Sequence, residues 1–167
     1  MNGETELESL ARRVGRTLLE RGLMLATAES CTGGWVAQAV TAVDGSSQWF
    51  ERGFVTYSNA AKQELLGVRA ETLEAHGAVS EATVLEMATG ALAHSRARVA
   101  LSISGVAGPT GGTPEKPVGT VWHGWALAGR SPRARLHRYD GDRTSVRRQA
   151  VITALAGLLE LLEERAD

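Results

Sequence analysis

The sequence has one cysteine, and it has no long apolar run. A lone cysteine cannot form a disulfide within the chain, and a mature secreted protein of this size more often carries an even number, so a reducing cytoplasm is expected. No apolar run approaches the roughly 18 residues of a membrane-spanning helix, and the N-terminal segment is acidic where a signal peptide would be basic. We therefore expect a soluble cytoplasmic protein with no membrane partner.

An excess of positive charge is also absent. The chain carries 18 lysines and arginines against 19 acidic residues, for a net charge of −1. Arg147-Arg148 and the pair Arg133 and Arg135 make only small basic patches, so we expect no nucleic-acid partner. A chain of 167 residues suits one domain with a substantial core, and no repeat or linker divides it, so residues 1–167 are expected to form a single domain.

Apolar periodicity predicts alternating helices and strands. Helices are expected over residues 7–21, from Thr32, over 59–66, over 71–77, from Ser80 and over 144–165, and strands over 23–28, 53–57, 98–104, 120–128 and 133–140. The short turn between the last two strands predicts antiparallel pairing. The pattern indicates a three-layer α/β domain with a mixed, largely parallel sheet covered by helices on both faces, and it leaves strand order open.

Three loops with small polar residues follow predicted strands, at residues 29–34, 57–62 and 104–112. Ligands of open α/β sheets bind beyond the carboxyl ends of the strands, so these loops are expected to meet in one cleft. In the first loop, Ser30 and Cys31 precede a glycine pair and a helix start, which suits a phosphate or a developing oxyanion. Two simpler interpretations stay open at this point: a serine or threonine that caps the helix, and a cysteine that packs as a small hydrophobe.

A serine nucleophile needs a base, because its hydroxyl is protonated at neutral pH. The four histidines show no catalytic or metal-binding spacing, so no metal is expected. Of the 18 basic residues 16 are arginines, and the lysines are Lys62 and Lys116. Lysine can lose its proton when buried, and the first turn of a helix would lower the pKa of Lys62 further. The alternative is a solvated surface lysine. Tyr57 could face the same cleft or pack at a strand end.

The third loop is rich in glycine and resembles a phosphate cradle, although it matches neither the P-loop nor the dinucleotide fingerprint. Arg143, at the start of the last helix, could hold a phosphate or carboxylate through two hydrogen bonds. An ion pair with Asp140 or Asp142 would explain this arginine equally well.

Six motifs in matching order carry a resemblance to a known family: "TAESCTGG", "GSSQWFERGFVTYSNAAKQELLGV", "HGAVSE", "SGVAGPTGG", "EKPVGTVW" and "GDRTSVRRQA". The chain resembles the C-terminal domain family of the competence/damage-inducible protein CinA, over roughly Leu7 to Leu162. The resemblance implies a nicotinamide-mononucleotide amidase, which hydrolyses the carboxamide to nicotinic acid mononucleotide and ammonia in pyridine-nucleotide salvage. Longer relatives carry a further domain before this one, and the chain looks like the stand-alone amidase.

The resemblance also implies roles for particular residues. Ser30 becomes the nucleophile and Lys62 its base, with Tyr57 close to the reacting groups. Further residues are expected to bind the substrate: Thr32, Gly33, Gly34, Ser46, Ser47, Gly105, Gly108 and Arg143. We expect a small-molecule nucleotide substrate and no cofactor. We also expect a homo-oligomer, namely a dimer. The alternatives are a non-catalytic nucleotide-binding module of the same fold and hydrolysis through Cys31.

Overall fold

The computed structural model describes residues 4–164, which form five strands and six α-helices. The strands are β1 (Leu25–Glu29), β2 (Phe50–Val55), β3 (Val99–Gly105), β4 (Thr120–Leu127) and β5 (Arg133–Arg138). The helices are α1 (Glu6–Arg21), α2 (Trp35–Thr41), α3 (Asn59–Leu66), α4 (Ala70–His76), α5 (Glu81–Ala93) and α6 (Arg143–Glu164), with a short 3-10 helix at Ser46–Gln48. Arg165, the last residue of the predicted final helix, lies outside the described residues.

The sheet has the order β2-β1-β3-β4-β5. β1 pairs in parallel with β2 and with β3, whereas β3 with β4 and β4 with β5 pair antiparallel. The predicted mixed sheet and the antiparallel final pair are therefore confirmed: β1, β2, β3 and β5 run in one direction and β4 runs in the other. β4 is reversed because no helix separates it from β3, so the chain returns to the sheet in the opposite direction.

Helices cover both faces of the sheet, as predicted. α1, α2 and α6 pack together on one face, and α5 lies on the other with α3 and α4 against it. The first face buries an aliphatic cluster that includes Leu18, Leu101 and Leu155, and the indole of Trp125 donates a hydrogen bond of 2.9 Å to the carbonyl of Ala154 in α6. Both layers hold the strands rigidly, which fixes the loops at their ends.

The carboxyl ends of β1, β2 and β3 lie at one edge of the sheet because these three strands run in parallel. The loop between β3 and β4 starts at the same edge. Within residues 4–164, no helix combines the length and the apolar character that a bilayer crossing requires.

Candidate active site

A cleft of about 270 Å³ lies at this edge of the sheet. It is lined by Ser30, Cys31, Tyr57, Lys62, Ala78, Val79, Ser104, Arg143 and the glycine-rich loop from Gly105 to Gly111. The three predicted loops therefore meet in one place. A wider cavity of about 520 Å³ lies against α5, but its lining is mostly apolar and contains none of the predicted site residues.

Lys62 lies under the cleft with its side chain directed at Ser30. Its Nζ atom is 3.1 Å from Oγ of Ser30, and it donates to the carbonyl oxygens of Thr56 at 2.9 Å and Tyr57 at 3.3 Å. Only 1% of Lys62 is exposed, so the interpretation as a solvated surface lysine is wrong. Burial lowers the pKa of Lys62 because it penalises the charged ammonium.

The hydrogen bonds of Lys62 can serve both forms of its amine, because an ammonium donates to all three oxygens around Nζ. A neutral amine has two N–H donors and one lone pair, and the two carbonyl oxygens accept the two N–H groups. Nζ also donates to Oγ of Ser30 at 3.1 Å. When the amine is neutral, its lone pair is left for this hydroxyl, which then becomes the donor. The arrangement can therefore remove a proton from Ser30 without any rearrangement of the lysine.

Cys31 is buried beside this pair, and its thiol is free. Burial raises the pKa of Cys31 to about 11, so the thiol is protonated at neutral pH. Because the thiolate is the reactive form, this environment favours a packing role for Cys31 over nucleophilic attack.

The residues after Cys31 form a turn whose helix is capped from within the chain. α2 begins at Trp35, three residues later than predicted, and the carboxylate of Glu29 accepts hydrogen bonds from the backbone N–H groups of Val36 at 2.9 Å and Ala37 at 3.1 Å. The hydroxyl of Thr32 donates to the same carboxylate at 2.6 Å. Thr32, Gly33 and Gly34 do not line the cleft. A carboxylate therefore caps the start of α2, and the expectation that Thr32, Gly33 and Gly34 receive the substrate stays a prediction.

Ser46 and Ser47 lie away from the cleft. They belong to the 3-10 helix before β2, where the carbonyl of Trp49 accepts a hydrogen bond of 2.8 Å from the N–H of Leu25 at the first residue of β1. Ser30 follows the other end of that strand, about 16 Å away for five extended residues. Ser46 and Ser47 therefore do not line this cleft, because α2 carries the chain back to the opposite edge of the sheet, and their assignment to the site stays a prediction.

Tyr57 and Arg143 stand at the mouth of the cleft. Tyr57 is 63% exposed, and its hydroxyl accepts a hydrogen bond of 3.2 Å from the guanidinium of Arg143. Arg143 also donates to the carbonyl of Gly108 at 2.7 Å, and among residues 4–164 it makes no ion pair with Asp140 or Asp142. Gly105 and Gly108 line the cleft as predicted.

Sequence reasoning assigned no role to three residues around Ser30, namely Glu29, Ser104 and Arg147. Ser104 lines the cleft, is 1% exposed, and follows the last residue pair of β1 and β3. The sequence predicts that the loops at residues 29–34 and 104–112 meet, but because strand order was open it did not single out Ser104 as the neighbour of Ser30. Arg147 donates to the carbonyl of Cys31 at 2.9 Å, although the sequence indicated only a basic patch. Of these three residues, only Glu29 could have been found from local sequence, because it directly precedes Ser30.

The fold and the cleft define an α/β protein with a buried serine–lysine pair at the carboxyl ends of its parallel strands. Residues 7–162 match the CinA C-terminal domain, and the chain belongs to this family. It is 57% identical over 155 residues to nicotinamide-nucleotide amidohydrolase PncC of Escherichia coli (strain K12), covering 93% of this chain and 94% of the relative. It is 53% identical to the protein of the same name from Pseudomonas putida, covering 93% and 96%.

Solved structures show the same fold. The crystal structure of competence/damage inducible protein CihA from Agrobacterium tumefaciens matches with a TM-score of 0.92 and 47% identity, covering 94% of this chain and 96% of that one. Residues 4–164 contain no group of three or more histidine, cysteine or acidic side chains that could hold a metal ion. The expected absence of a cofactor stays a prediction.

Proposed function

We propose that the protein is an amidohydrolase that converts nicotinamide mononucleotide and water to nicotinic acid mononucleotide and ammonia, within pyridine-nucleotide salvage. The names of the relatives support the substrate and the reaction. The observation that carries the proposal is the 3.1 Å contact between Nζ of the buried Lys62 and Oγ of Ser30. Such a pair activates a hydroxyl for attack on a carbonyl carbon.

In the first half of the reaction, neutral Lys62 takes the proton of Ser30 as Oγ attacks the carboxamide carbon. A tetrahedral intermediate forms, and its oxygen carries the negative charge. The protonated lysine keeps its two carbonyl contacts and gives its third proton to the leaving nitrogen. The C–N bond then breaks, ammonia departs, and the substrate remains as an ester on Ser30.

The oxyanion needs donors that are not already used. The N–H of Gly33 donates to the carbonyl of Ser30 at 3.0 Å, so it is committed to the turn. Cys31 lines the cleft directly after the nucleophile, and no carbonyl of residues 4–164 accepts its N–H. The amide that follows a nucleophile is a common oxyanion donor, and we assign this role to Cys31.

In the second half, a water molecule takes the place of ammonia. Lys62 has returned to its neutral form and removes a proton from this water as the oxygen attacks the ester carbon. The bond between the carbonyl carbon and Oγ of Ser30 breaks, and the proton held by Lys62 returns to that oxygen. Nicotinic acid mononucleotide leaves, and the serine–lysine pair is restored.

The 5′-phosphate of the substrate is assigned to the mouth of the cleft. Arg143 stands there with a planar guanidinium, and the glycine-rich loop lines the cleft beside it, with the carbonyl of Gly108 accepting a hydrogen bond from the guanidinium. Tyr57 reaches the same guanidinium through its hydroxyl, so it can hold Arg143 in place before the substrate arrives. Together these groups would orient the nucleotide so that its carboxamide points down to Ser30.

The proposal is tested by ammonia release from nicotinamide mononucleotide. The wild type is compared with Ser30→Ala and with Ser131→Ala, an exposed serine in the turn between β4 and β5. We expect the wild type and Ser131→Ala to release ammonia at similar rates, with or without a chelator, and Ser30→Ala to release none. If the wild type binds the nucleotide without releasing ammonia, the protein is a binding module and the proposal fails.

A further inference from the structure

Arg147 reaches from α6 to the turn that carries the nucleophile. Its Nε donates to the carbonyl of Cys31 at 2.9 Å, and one terminal nitrogen donates to the carbonyl of Thr32 at 3.1 Å. The guanidinium carbon lies 5.5 Å from the ring centroid of Trp35, in cation–π contact. The adjacent Arg148 makes no side-chain hydrogen bond or ion pair with any residue in the described range 4–164.

These contacts fix consecutive peptide planes. The carbonyl of Ser30 accepts the N–H of Gly33 at 3.0 Å, and Arg147 holds the carbonyls of Cys31 and Thr32. Because each peptide unit is planar, a bound carbonyl also sets the direction of the N–H in the same unit. The three peptide units after Ser30 are therefore held, and the first of them contains the N–H of Cys31.

Two oppositely charged side chains, Glu29 and Arg147, form hydrogen bonds with the turn from two sides. Glu29, which is 1% exposed, accepts hydrogen bonds from Thr32 and from the start of α2, while Arg147 donates to carbonyls from α6. Gly33 has a φ of +59°, and a Cβ there would lie 3.4 Å from a terminal nitrogen of Arg147. A side chain at this position would be strained by the backbone and would crowd the arginine as well.

We propose that Arg147 is a positioning residue for the reaction, which holds the turn after Ser30 so that the Cys31 N–H stays aimed at the oxyanion. The inference rests on the proposed function. Arg147 does not line the cleft, so it acts through the backbone of Cys31 and Thr32 and not through the substrate. An arginine suits this role because its planar fork can bind two carbonyls at once, whereas a lysine ammonium would bind as a single point charge.

The test compares Arg147→Met, Arg147→Lys and the matched control Arg148→Met in the full chain. Three quantities are measured: kcat and KM for nicotinamide mononucleotide, the rate at which a fluorophosphonate labels Ser30, and the thermal unfolding midpoint. In the labelling step the phosphorus–oxygen bond to Oγ forms, fluoride leaves, and Lys62 takes the proton. Arg147→Lys keeps the charge and the apolar stem, so it tests the geometry in a variant that is expected to fold.

We expect Arg147→Met to lower kcat and the labelling rate together by roughly 10- to 100-fold, as a displaced oxyanion donor would. KM should stay within about twofold of the wild type, because Arg147 does not touch the substrate. The kcat and the labelling rate of Arg147→Lys should lie between those of the wild type and those of Arg147→Met. Both rates of Arg148→Met should match those of the wild type.

The inference is overturned if kcat and the labelling rate of Arg147→Met or Arg147→Lys equal those of Arg148→Met. It is also overturned if the Arg147 variants change KM alone and leave kcat as in the wild type. Equal rates in the two Arg147 variants would contradict the geometric argument if both are folded at the assay temperature. A wild type that is labelled at Ser30 but releases no ammonia would refute the proposed substrate, and the labelling rates of the variants would still decide the role of Arg147.

Discussion

The protonation state of Lys62 decides whether the cleft can do chemistry. Arginine supplies most of the positive charge in this chain, yet the buried cation beside Ser30 is a lysine. A guanidinium would stay protonated at this position and could not accept a proton. Burial lowers the pKa of Lys62, and in the neutral form of the amine the two carbonyl acceptors leave the lone pair facing Ser30.

Replacement of Lys62 should therefore remove activity whether or not the charge is kept. We expect Lys62→Met and Lys62→Arg each to lower kcat by about 10²- to 10⁴-fold, the usual contribution of a general base. The matched control is Lys116→Met, because Lys116 is exposed and donates to the carbonyl of His76 outside the cleft. Ammonia release measures the effect, and a Lys62→Arg variant as active as the wild type would contradict the assigned base.

The pH dependence of kcat/KM should report the same residue. The base acts when neutral, so the rate should rise with pH and level off above the pKa of Lys62. Because burial lowers this pKa, the midpoint should lie below the ordinary value for lysine. A rise centred at or above that ordinary value would contradict the argument from burial.

Removal of the Cys31 thiol should leave the reaction nearly intact. The thiol is protonated at neutral pH, since burial raises its pKa to about 11. We expect Cys31→Ala to keep kcat within roughly tenfold of the wild type, because the backbone N–H is retained while some packing is lost. If ammonia release vanished in Cys31→Ala and survived in Ser30→Ala, the nucleophile would be Cys31.

At the residue scale, the sequence identified those residues of the cleft whose chemistry follows from their own local motif. Ser30, Lys62, Tyr57 and Arg143 were predicted, and they line one cleft. The contact between Arg147 and the turn after Ser30 was not predicted, because Arg147 lies 116 residues from Cys31 in the chain and comes close only after α6 packs. Such contacts depend on helix placement, which periodicity does not provide.

At the scale of elements, α2 depends on a carboxylate that belongs to the preceding strand. The N-cap residue Gly34 has no side chain that could accept a hydrogen bond from the first turn of α2. Glu29 at the end of β1 supplies the acceptors instead. The negative charge also complements the positive end of the helix. This cap joins the nucleophile turn to the sheet, so loss of the cap should affect both stability and rate.

We expect Glu29→Gln to lower the free energy of unfolding by about 2 kcal/mol, because charge-assisted hydrogen bonds to a buried carboxylate are weakened. It should lower kcat as well. The matched control is Thr5→Ala, which removes the exposed capping box of α1 and should cost about 1 kcal/mol with kcat unchanged. Urea unfolding and ammonia release measure the two effects, and an unchanged kcat in Glu29→Gln would contradict the coupling.

Element types were largely predictable, and element positions were not. The periodic patterns gave the helices and strands, but the register of β1 with β3 brings Ser104 next to Ser30, and that register follows from tertiary packing. For the same reason the sequence does not show that α2 carries Ser46 and Ser47 to the opposite edge. Motif membership alone contains no information on which end of a strand a loop occupies.

At the scale of the whole molecule, a buried histidine joins the sheet to α6. His123 in β4 has no exposed surface, and its Nε2 lies 3.0 Å from the hydroxyl of Tyr139, which donates to Thr153 in α6. Burial lowers the pKa of His123 to about 3, with the positive charges of His137 and Arg135 acting in the same direction. The ring is therefore neutral in the folded protein at neutral pH.

The stability of the fold should fall in mild acid. In the unfolded chain His123 binds a proton below its ordinary pKa of 6.5, whereas in the folded protein it resists protonation down to about 3. The free energy of unfolding should therefore be fully present above pH 6.5 and drop by up to about 1.4 kcal/mol per pH unit below it. Urea titrations between about pH 7 and pH 5 measure how steeply the free energy of unfolding falls with pH. This dependence on pH should be shallower in His123→Asn. Equal slopes in the two proteins would contradict this role for His123.

The central claim is that Ser30 forms a covalent ester with the substrate, and rapid acid quenching followed by peptide mass spectrometry tests it most directly. During the first turnover with nicotinamide mononucleotide, the peptide that contains Ser30 should carry the nucleotide without its ammonia, attached at Oγ. The same peptide from Ser30→Ala should stay unmodified. An adduct on Cys31, or a first turnover that releases ammonia with no adduct at any mixing time, would contradict the account.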